Sequence, residues 1–297
     1  MTDEPWTIGR LLNWTTEFLR GKGAESPRLD AEVLLAHVRG CKRIELYTAF
    51  EEPASDELRT KFRELVKERA AGKPVAYLVG QREFYSLPFE VTPDVLIPRP
   101  ETELLVVQSL DAMRQPPFSA RGESLAIADV GTGSGVLAVT LAKHLPQCRV
   151  TAIDVSAAAL AVARRNAARH QMNERIEWFE SDLFASVPAE RQFDLVASNP
   201  PYVTSGEMAS LQNDVRRYEP ALALDGGPEG TSVIERLIAE SAARLRPGGW
   251  LMMEISPTII GRVDQLLDAA PGFTRRPTQK DLAGLPRVAQ AQRSEAI

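Results

Sequence analysis

The stretch LAIADVGTGSGVLAVTLAKHL, residues 125–145, decides the fold. Residues 125–130 read as a strand and Val136 to Leu145 as a helix, joined by the turn DVGTGSG (129–135). Glycines at 131, 133 and 135 tolerate positive φ and let a ligand come close to the backbone. The first N–H groups of the following helix point out of such a turn toward whatever binds there. A dinucleotide fingerprint needs G-x-G-x-x-G, and here Val136 stands where its last glycine belongs. A P-loop is excluded, because no Gly-Lys-Ser/Thr follows.

Downstream the same rhythm recurs. RVTAID (149–154) reads as a strand, Ala157 to His170 as a helix, and IEWFES (176–181) and FDLVAS (193–198) as strands. A helix over Ser232 to Leu245 leads into the strand PGGWLMMEI (247–255). Alternation of this kind predicts right-handed βαβ units and a mostly parallel sheet covered on both faces, an α/β fold.

The strand ends carry the chemistry. Asp154 ends the second strand about twenty residues after the glycine turn, where a carboxylate can accept both ribose hydroxyls of a nucleoside. An N-cap role for Asp154 or Ser156 is the rival reading. Asp182, in SDLF (181–184), ends the third strand and can accept from an adenine amino group, with Leu183 and Phe184 against the base. A ligand so held lies across the carboxyl ends of the strands.

Asn199-Pro200-Pro201-Tyr202 follows FDLVAS directly. The Asn199 side-chain carbonyl and the Pro200 backbone carbonyl are two acceptors. Pro201 offers no N–H, and each proline drives the residue before it toward extended backbone. Two fixed acceptors receive the two hydrogens of an NH₂ group, and Tyr202 can lay its ring on the same flat group. Such a site suits a nitrogen with a delocalised lone pair, aimed in line with a sulfonium methyl. Positioning then carries most of the catalysis. A Pro-Pro turn that merely ends a strand is the structural alternative.

Residues 7–72 read as helices, with stripes at Ile8, Leu11, Leu12, Phe18, Leu19, then Leu29, Val33, Leu34, Val38, then Leu58, Phe62, Leu65, Val66. Ser26-Pro27 and Ser55 mark helix starts. The expected division is a helical, substrate-gripping domain over 1–82, a β-hairpin linker over 83–100 and the α/β domain over 101–297. A net charge of −5 over 297 residues opposes a large phosphate-binding surface, so direct nucleic-acid binding is not expected. Cys41 and Cys148 are far apart, and His37, His144 and His170 lie singly in helical stretches, so no metal site is expected. The acidic start MTDEPWTIGR, broken by Pro5, is no signal peptide. No apolar run approaches the ~20 residues a membrane span needs. A cytoplasmic protein is expected.

NPPY after the fourth strand resembles the amino-methyltransferases that modify adenine, guanine or glutamine nitrogen. LIPRPETELLV (96–106), YEPALALDGGPEG (218–230) and KDLAGLPRV (280–288) narrow the match. With the helical N-terminal domain, they resemble the bacterial peptide chain release factor N5-glutamine methyltransferases, the HemK or PrmC family, over nearly the whole chain. The resemblance implies a Rossmann-like methyltransferase domain, S-adenosylmethionine as cofactor, and class 1 release factors as partners, with the glutamine of their Gly-Gly-Gln loop as acceptor. By resemblance, Gly131, Thr132, Gly133, Ser134, Gly135, Asp154, Asp182 and Leu183 hold the cofactor, Asn199 touches it, and Asn199, Pro200, Pro201 and Tyr202 hold the glutamine amide. Asn199, Pro200 and Tyr202 are the catalytic group. Alternatives are ribosomal-protein glutamine methylation and nucleic-acid amino methylation. The ribosomal-protein enzyme typically carries serine after the arginine where Arg99-Pro100 stands here, which favours the release-factor enzyme. Arg99 and Glu101 either line the acceptor pocket or form an interdomain salt bridge. Ser256-Pro257-Thr258-Ile259 depart from the family, which usually has a glycine and soon a glutamine after this strand.

Overall fold

The computed structural model describes residues 5–121 and 125–294. The chain divides into two compact units at Gln81/Arg82, and Gln212–Tyr218, from far downstream, belongs to the first.

In the first unit, α1 (Ile8–Gly21) starts at Thr7, whose hydroxyl accepts the Arg10 N–H at 3.2 Å. Helix α2 (Pro27–Arg39) has proline at its first position and ends at Gly40 in the left-handed region. Ser26 stands at the cap position, but its side chain makes no capping bond. Two short helices, α3 (Glu45–Thr48) and α5 (Val75–Val79), flank α4 (Asp56–Ala70), which Ser55 caps by accepting the Leu58 N–H at 3.2 Å. The core gathers Ile8, Leu12 and Leu19 with Leu34, Leu35, Leu46 and Phe62. The stripe expected on α2 is corrected. Its buried face runs through Ala31, Leu34 and Leu35, and that rotation leaves Leu29 exposed.

The second unit opens with a hairpin, β1 (Gln81–Phe84) and β2 (Leu87–Glu90), turned by Tyr85 and Ser86 at φ +50° and +59°. Phe84 and Phe89 are in this unit's core, so the segment expected as a linker packs as part of the second unit. After α6 (Thr102–Arg114) come β3 (Ala126–Val130), α7 (Val136–His144), β4 (Arg149–Asp154), α8 (Ala157–Arg169), β5 (Ile176–Glu180) and β6 (Phe193–Ser198). Past α9 (Asn213–Tyr218), which belongs to the first unit, follow α10 (Ser232–Arg244), β7 (Leu245–Glu254), α11 (Ile260–Ala269), β8 (Phe273–Lys280) and β9 (Pro286–Arg293). The sheet order is β5-β4-β3-β6-β7-β9-β8, parallel through β7 and antiparallel beyond it. The direction of winding reverses between β3 and β6, the crevice where such sheets bind ligands.

Both faces are buried, which is why the strands read as near-continuous apolar runs. Along β6, Leu195 and Ala197 join the cluster shared with α6 and α7, while Phe193 and Val196 join the cluster shared with α10 and α11. No helix among the described residues is long and apolar enough to cross a membrane.

Candidate active site

Register brings the strand ends into one row. Val130 lies opposite Ile153 on one side and Ser198 on the other, and Ser198 lies opposite Met253. The next residue on each strand is therefore Gly131, Asp154, Asn199 or Glu254. A Cβ on Gly131 would lie 3.9 Å from the Asn199 carbonyl oxygen, so the glycine turn and NPPY adjoin.

The turn is held from several directions. Gly131 and Thr132 donate their N–H groups to the Ile153 carbonyl at 2.8 and 2.9 Å. Gly133, at φ +54° with open space where a Cβ would sit, donates to Asp154 Oδ2 at 2.8 Å. Gly135, at φ +82°, packs so closely on α8 that a Cβ would meet that of Ala163 at 3.1 Å. Asp129, fully buried, accepts from the Thr132 hydroxyl at 2.6 Å and the Ala138 N–H at 2.9 Å through one oxygen. Burial pushes its carboxyl up to about 7, against the pull of these two hydrogen bonds. Asn166, also fully buried, donates to the carbonyls of Ser134 and Glu90, tying α8 and the hairpin to the turn.

Asp154 also accepts the Ser156 N–H at 2.9 Å, while Ser156 itself caps α8 by accepting the Ala159 N–H. Burial raises the Asp154 carboxyl above its ordinary value, and the N–H groups of Ser156, Gly133 and Val155 pull it down.

NPPY is braced by the segment that follows it. Val203 and Asp225 form a bridge, with Val203 N–H donating to Leu224 and Gly226 N–H donating to Val203. A Cβ on Gly230, at φ +73°, would come within 2.6 Å of the Tyr202 carbonyl, and one on Gly226 within 2.8 Å of the Pro201 carbonyl. The glycines of DGGPEG are there because the two segments run backbone to backbone. Glu219, nearly fully buried, takes Arg99 at 2.6 Å and the Ile97 N–H at 3.1 Å. Arg99 therefore has an ion-pair partner inside its own unit, so of the two readings of Arg99 the interdomain bridge is not the one formed with Glu219.

At the side-chain level, Asn199 Nδ2 donates to Thr102 Oγ1 at 3.2 Å, and the Tyr202 hydroxyl donates to Glu254 Oε1 at 3.1 Å. Burial and the neighbouring Glu254 push the Tyr202 phenol well above its ordinary value, so it stays a protonated donor. Burial also raises the Glu254 carboxyl; hydrogen bonds from Thr102 and Tyr202 lower it, Glu101 raises it and Arg287 lowers it.

Residues 10–80 match the PrmC N-terminal domain, and residues 105–217 match the methyltransferase small domain. A release factor glutamine methyltransferase of Rhodopirellula baltica is 48% identical over 292 residues, covering 98% of each chain. One from Geobacter sulfurreducens is 41% identical, covering 97% of this chain and 98% of its own. This chain belongs to the release factor glutamine methyltransferase family. A solved methyltransferase from Pyrococcus furiosus shares the fold at TM-score 0.50 and 20% identity, covering 79% of this chain and 98% of that one.

S-adenosylmethionine is the cofactor of this methyltransferase, and the strand-end row fits it: a glycine turn with open space at Gly133 beside a carboxylate at Asp154. Thr132 and Ser134 are buried, and the Ser134 carbonyl is taken by Asn166. Asp182 is exposed and ion-paired with Arg236 at 2.8 Å, just beyond the end of β5. Leu183, at φ +47°, is buried, and Phe184 is in the core against Phe193. At 256–259, Ser256 and Thr258 close a turn through their hydroxyls at 2.8 Å, and Ile259 is buried. Asp281 and Arg287, from KDLAGLPRV, pair at 2.9 Å across the β8–β9 turn.

Four residues escaped the sequence reading: Asp129, Asn166, Glu219 and Glu254. Asp129 sat in plain view inside DVGTGSG, where a buried acid beside a glycine turn is a signal. The other three make their contacts with partners 32, 122 and 52 residues away in the sequence, a separation no local pattern reports.

Proposed function

We propose that this methyltransferase transfers the methyl group of S-adenosylmethionine to the side-chain amide nitrogen, N5, of the glutamine in the Gly-Gly-Gln motif of class 1 peptide chain release factors. The cofactor, held by the 131–135 turn, Asp154, Asp182 and Leu183, supplies an electrophilic methyl on a sulfonium. Asn199 Oδ1 and the Pro200 carbonyl accept the two amide hydrogens, drawing electron density onto nitrogen and turning its lone pair toward the methyl. Tyr202 and Pro201 bound the flat amide. The N–CH₃ bond forms as the S–CH₃ bond breaks, and the amide proton, made acidic by the transfer, leaves to solvent. No strong base is required, so positioning and electrostatics supply the rate. Translation factors as substrates imply a cytoplasmic site of action.

The observation that carries this reading is the Asn199 amide. Its Nδ2 donates one N–H to Thr102, so the amide carbonyl is the face left for an incoming N–H, in the strand row beside the glycine turn. The test is single-turnover methyl transfer to purified release factor, with tryptic mass spectrometry locating the methyl. Asn199→Ala is expected to bind cofactor within severalfold of the parent and to lose about 10²–10³ in rate. Parental turnover by Asn199→Ala removes Asn199 from the acceptor site. A methyl found on another residue, or transferred only to a ribosomal subunit or nucleic acid, overturns the substrate.

A further inference from the structure

The first unit carries apolar surface that its core does not use up. Ile8, Leu12 and Leu19 of α1 are in that core. A neighbouring row on the same helix, Leu11, Trp14 and Phe18, recurs every three or four residues and lines a cavity of about 330 Å³. Phe62 and Val66 of α4 line its buried side. Trp14 remains 52% exposed, stacked on Phe18 at 5.1 Å between ring centroids and edge-on to Trp6 at 6.4 Å. A cluster of large aromatic side chains left in contact with water marks an interaction surface, and tryptophan is over-represented among the residues that dominate interface energies. An apolar cavity of about 150 Å³ takes a benzene ring, so this one holds roughly two large apolar side chains.

Charge says what else the occupant carries. Arg59, Arg63 and Lys67 stand four residues apart along α4 and line the same cavity, and no acidic side chain lines it. The remaining cations of α4 are already matched, Lys61 with Glu57 and Arg69 with Asp30, each at 2.7 Å. Arg63 and Lys67 make no ion pair or hydrogen bond among the described residues. Arg59 pairs with Asp56, yet its buried Nε has no acceptor among them. Lys22, 5.7 Å from the Phe18 ring, adds to the same sign of charge. In a chain of net charge −5, unmatched cations beside exposed aromatics call for carboxylates. A nucleic acid fits less well. Three cations make a short track for a phosphate chain, and Trp14 and Phe18 cover one face of each other, where bases would stack.

Resting on the function proposed above, we infer that this groove docks an acidic amphipathic segment of the release factor, distinct from the loop that carries the methylated glutamine. Apolar side chains of that segment enter against Trp14 and Phe18, and its carboxylates pair with Arg63 and Lys67. The groove lies in the first unit and the strand-end row in the second, so docking contributes affinity for the whole substrate and leaves the chemical step alone.

The test uses the full-length enzyme with intact release factor, and a synthetic Gly-Gly-Gln peptide as the substrate that lacks the acidic segment. Arg63→Glu combined with Lys67→Glu, at two exposed positions, is expected to raise KM for intact release factor about tenfold at low salt with kcat unchanged. The same variant should flatten the rise of KM with ionic strength. Trp14→Ala should raise KM comparably at low and high salt. Turnover on the peptide should be parental in both variants, and Arg63→Lys with Lys67→Arg should keep the parental KM, which a loss of fold would not allow. With a photo-reactive benzoylphenylalanine in place of Trp14, the cross-linked release factor peptide should carry net negative charge. Parental KM in both the charge-reversed and Trp14→Ala variants overturns the groove and leaves the proposed function standing. A cross-link to a segment that is not acidic, to a second copy of this chain or to added RNA overturns the occupant. Absence of methyl transfer to release factor by the parent enzyme overturns the function, and the docking site with it.

Discussion

At the scale of single residues, this site depends on buried acids that the chemistry does not touch. Asp129 is the clearest case. Its folded-state carboxyl is raised from 3.8 to about 7 by burial. The sign follows from linkage: below the unfolded value both states are protonated and the stabilisation by the neutral, buried form is fully present. It is lost as pH rises through about 7, because the folded state must then carry a buried charge. Stability should therefore fall between about pH 4 and pH 7 on account of this one group. Asp129→Asn keeps an oxygen for Thr132 and Ala138 and places the amide nitrogen where Oδ1 has no partner among the described residues. The variant should lose that slope, so that urea midpoints favour it over the parent increasingly from pH 5 to pH 7 and level off above it. Parallel curves across that range would mean that Asp129 is already ionised at pH 5.

At the scale of elements, strand ends and the segments braced against them set the geometry. NPPY is rigid for two reasons: prolines restrict its dihedrals, and DGGPEG runs along it at backbone distance. Gly230→Ala adds a methyl 2.6 Å from the Tyr202 carbonyl in a left-handed conformation. We expect a stability loss of about 1 kcal/mol or more, read from the denaturant midpoint. Turnover should drop far more than cofactor affinity, since the displaced atoms belong to the acceptor loop. A parental single-turnover rate would show that the brace can yield without moving Tyr202. The hairpin has a comparable part: through Asn166, Glu90 and Ser134 it is tied to the far side of the glycine turn.

At the scale of the whole molecule, the chain order and the units do not coincide. Gln212–Tyr218 belongs with the N-terminal helices, where Gln212 bonds Glu25 and the Tyr218 hydroxyl donates to the Ala71 carbonyl. A chain beginning at Arg82 should keep cofactor affinity within severalfold, because the strand-end row lies wholly in the second unit. It should methylate whole release factor poorly if the helical unit grips the substrate. Helix α9, stripped of its partners, should become a tryptic site at Arg216 and Arg217. Limited proteolysis and transfer assays read the two effects separately. Full activity on intact release factor would end the gripping role, and a protected 212–218 segment would mean that α9 holds its shape without the first unit.

What the sequence determined by itself was whatever local chemistry encodes. The period of apolar residues marked the strands from Arg149 to Ser198 to within a residue or so, because strands buried on both faces have few other ways to be written. Glycine spacing and the Asn-Pro-Pro-Tyr run announced a turn and an acceptor loop, since those backbone shapes admit few other residues. Tertiary structure alone decided the rest. It rotated α2 so that Leu29 faces solvent, joined α9 to a unit more than a hundred residues upstream, and paired Arg99 with Glu219. It also placed Thr102 beside Asn199 and Glu254 beside Tyr202. The physical reason is range: dihedral preference and periodicity act over a few residues. The partner of a buried polar group is set by sheet register, which brings residues a hundred positions apart to hydrogen-bond distance.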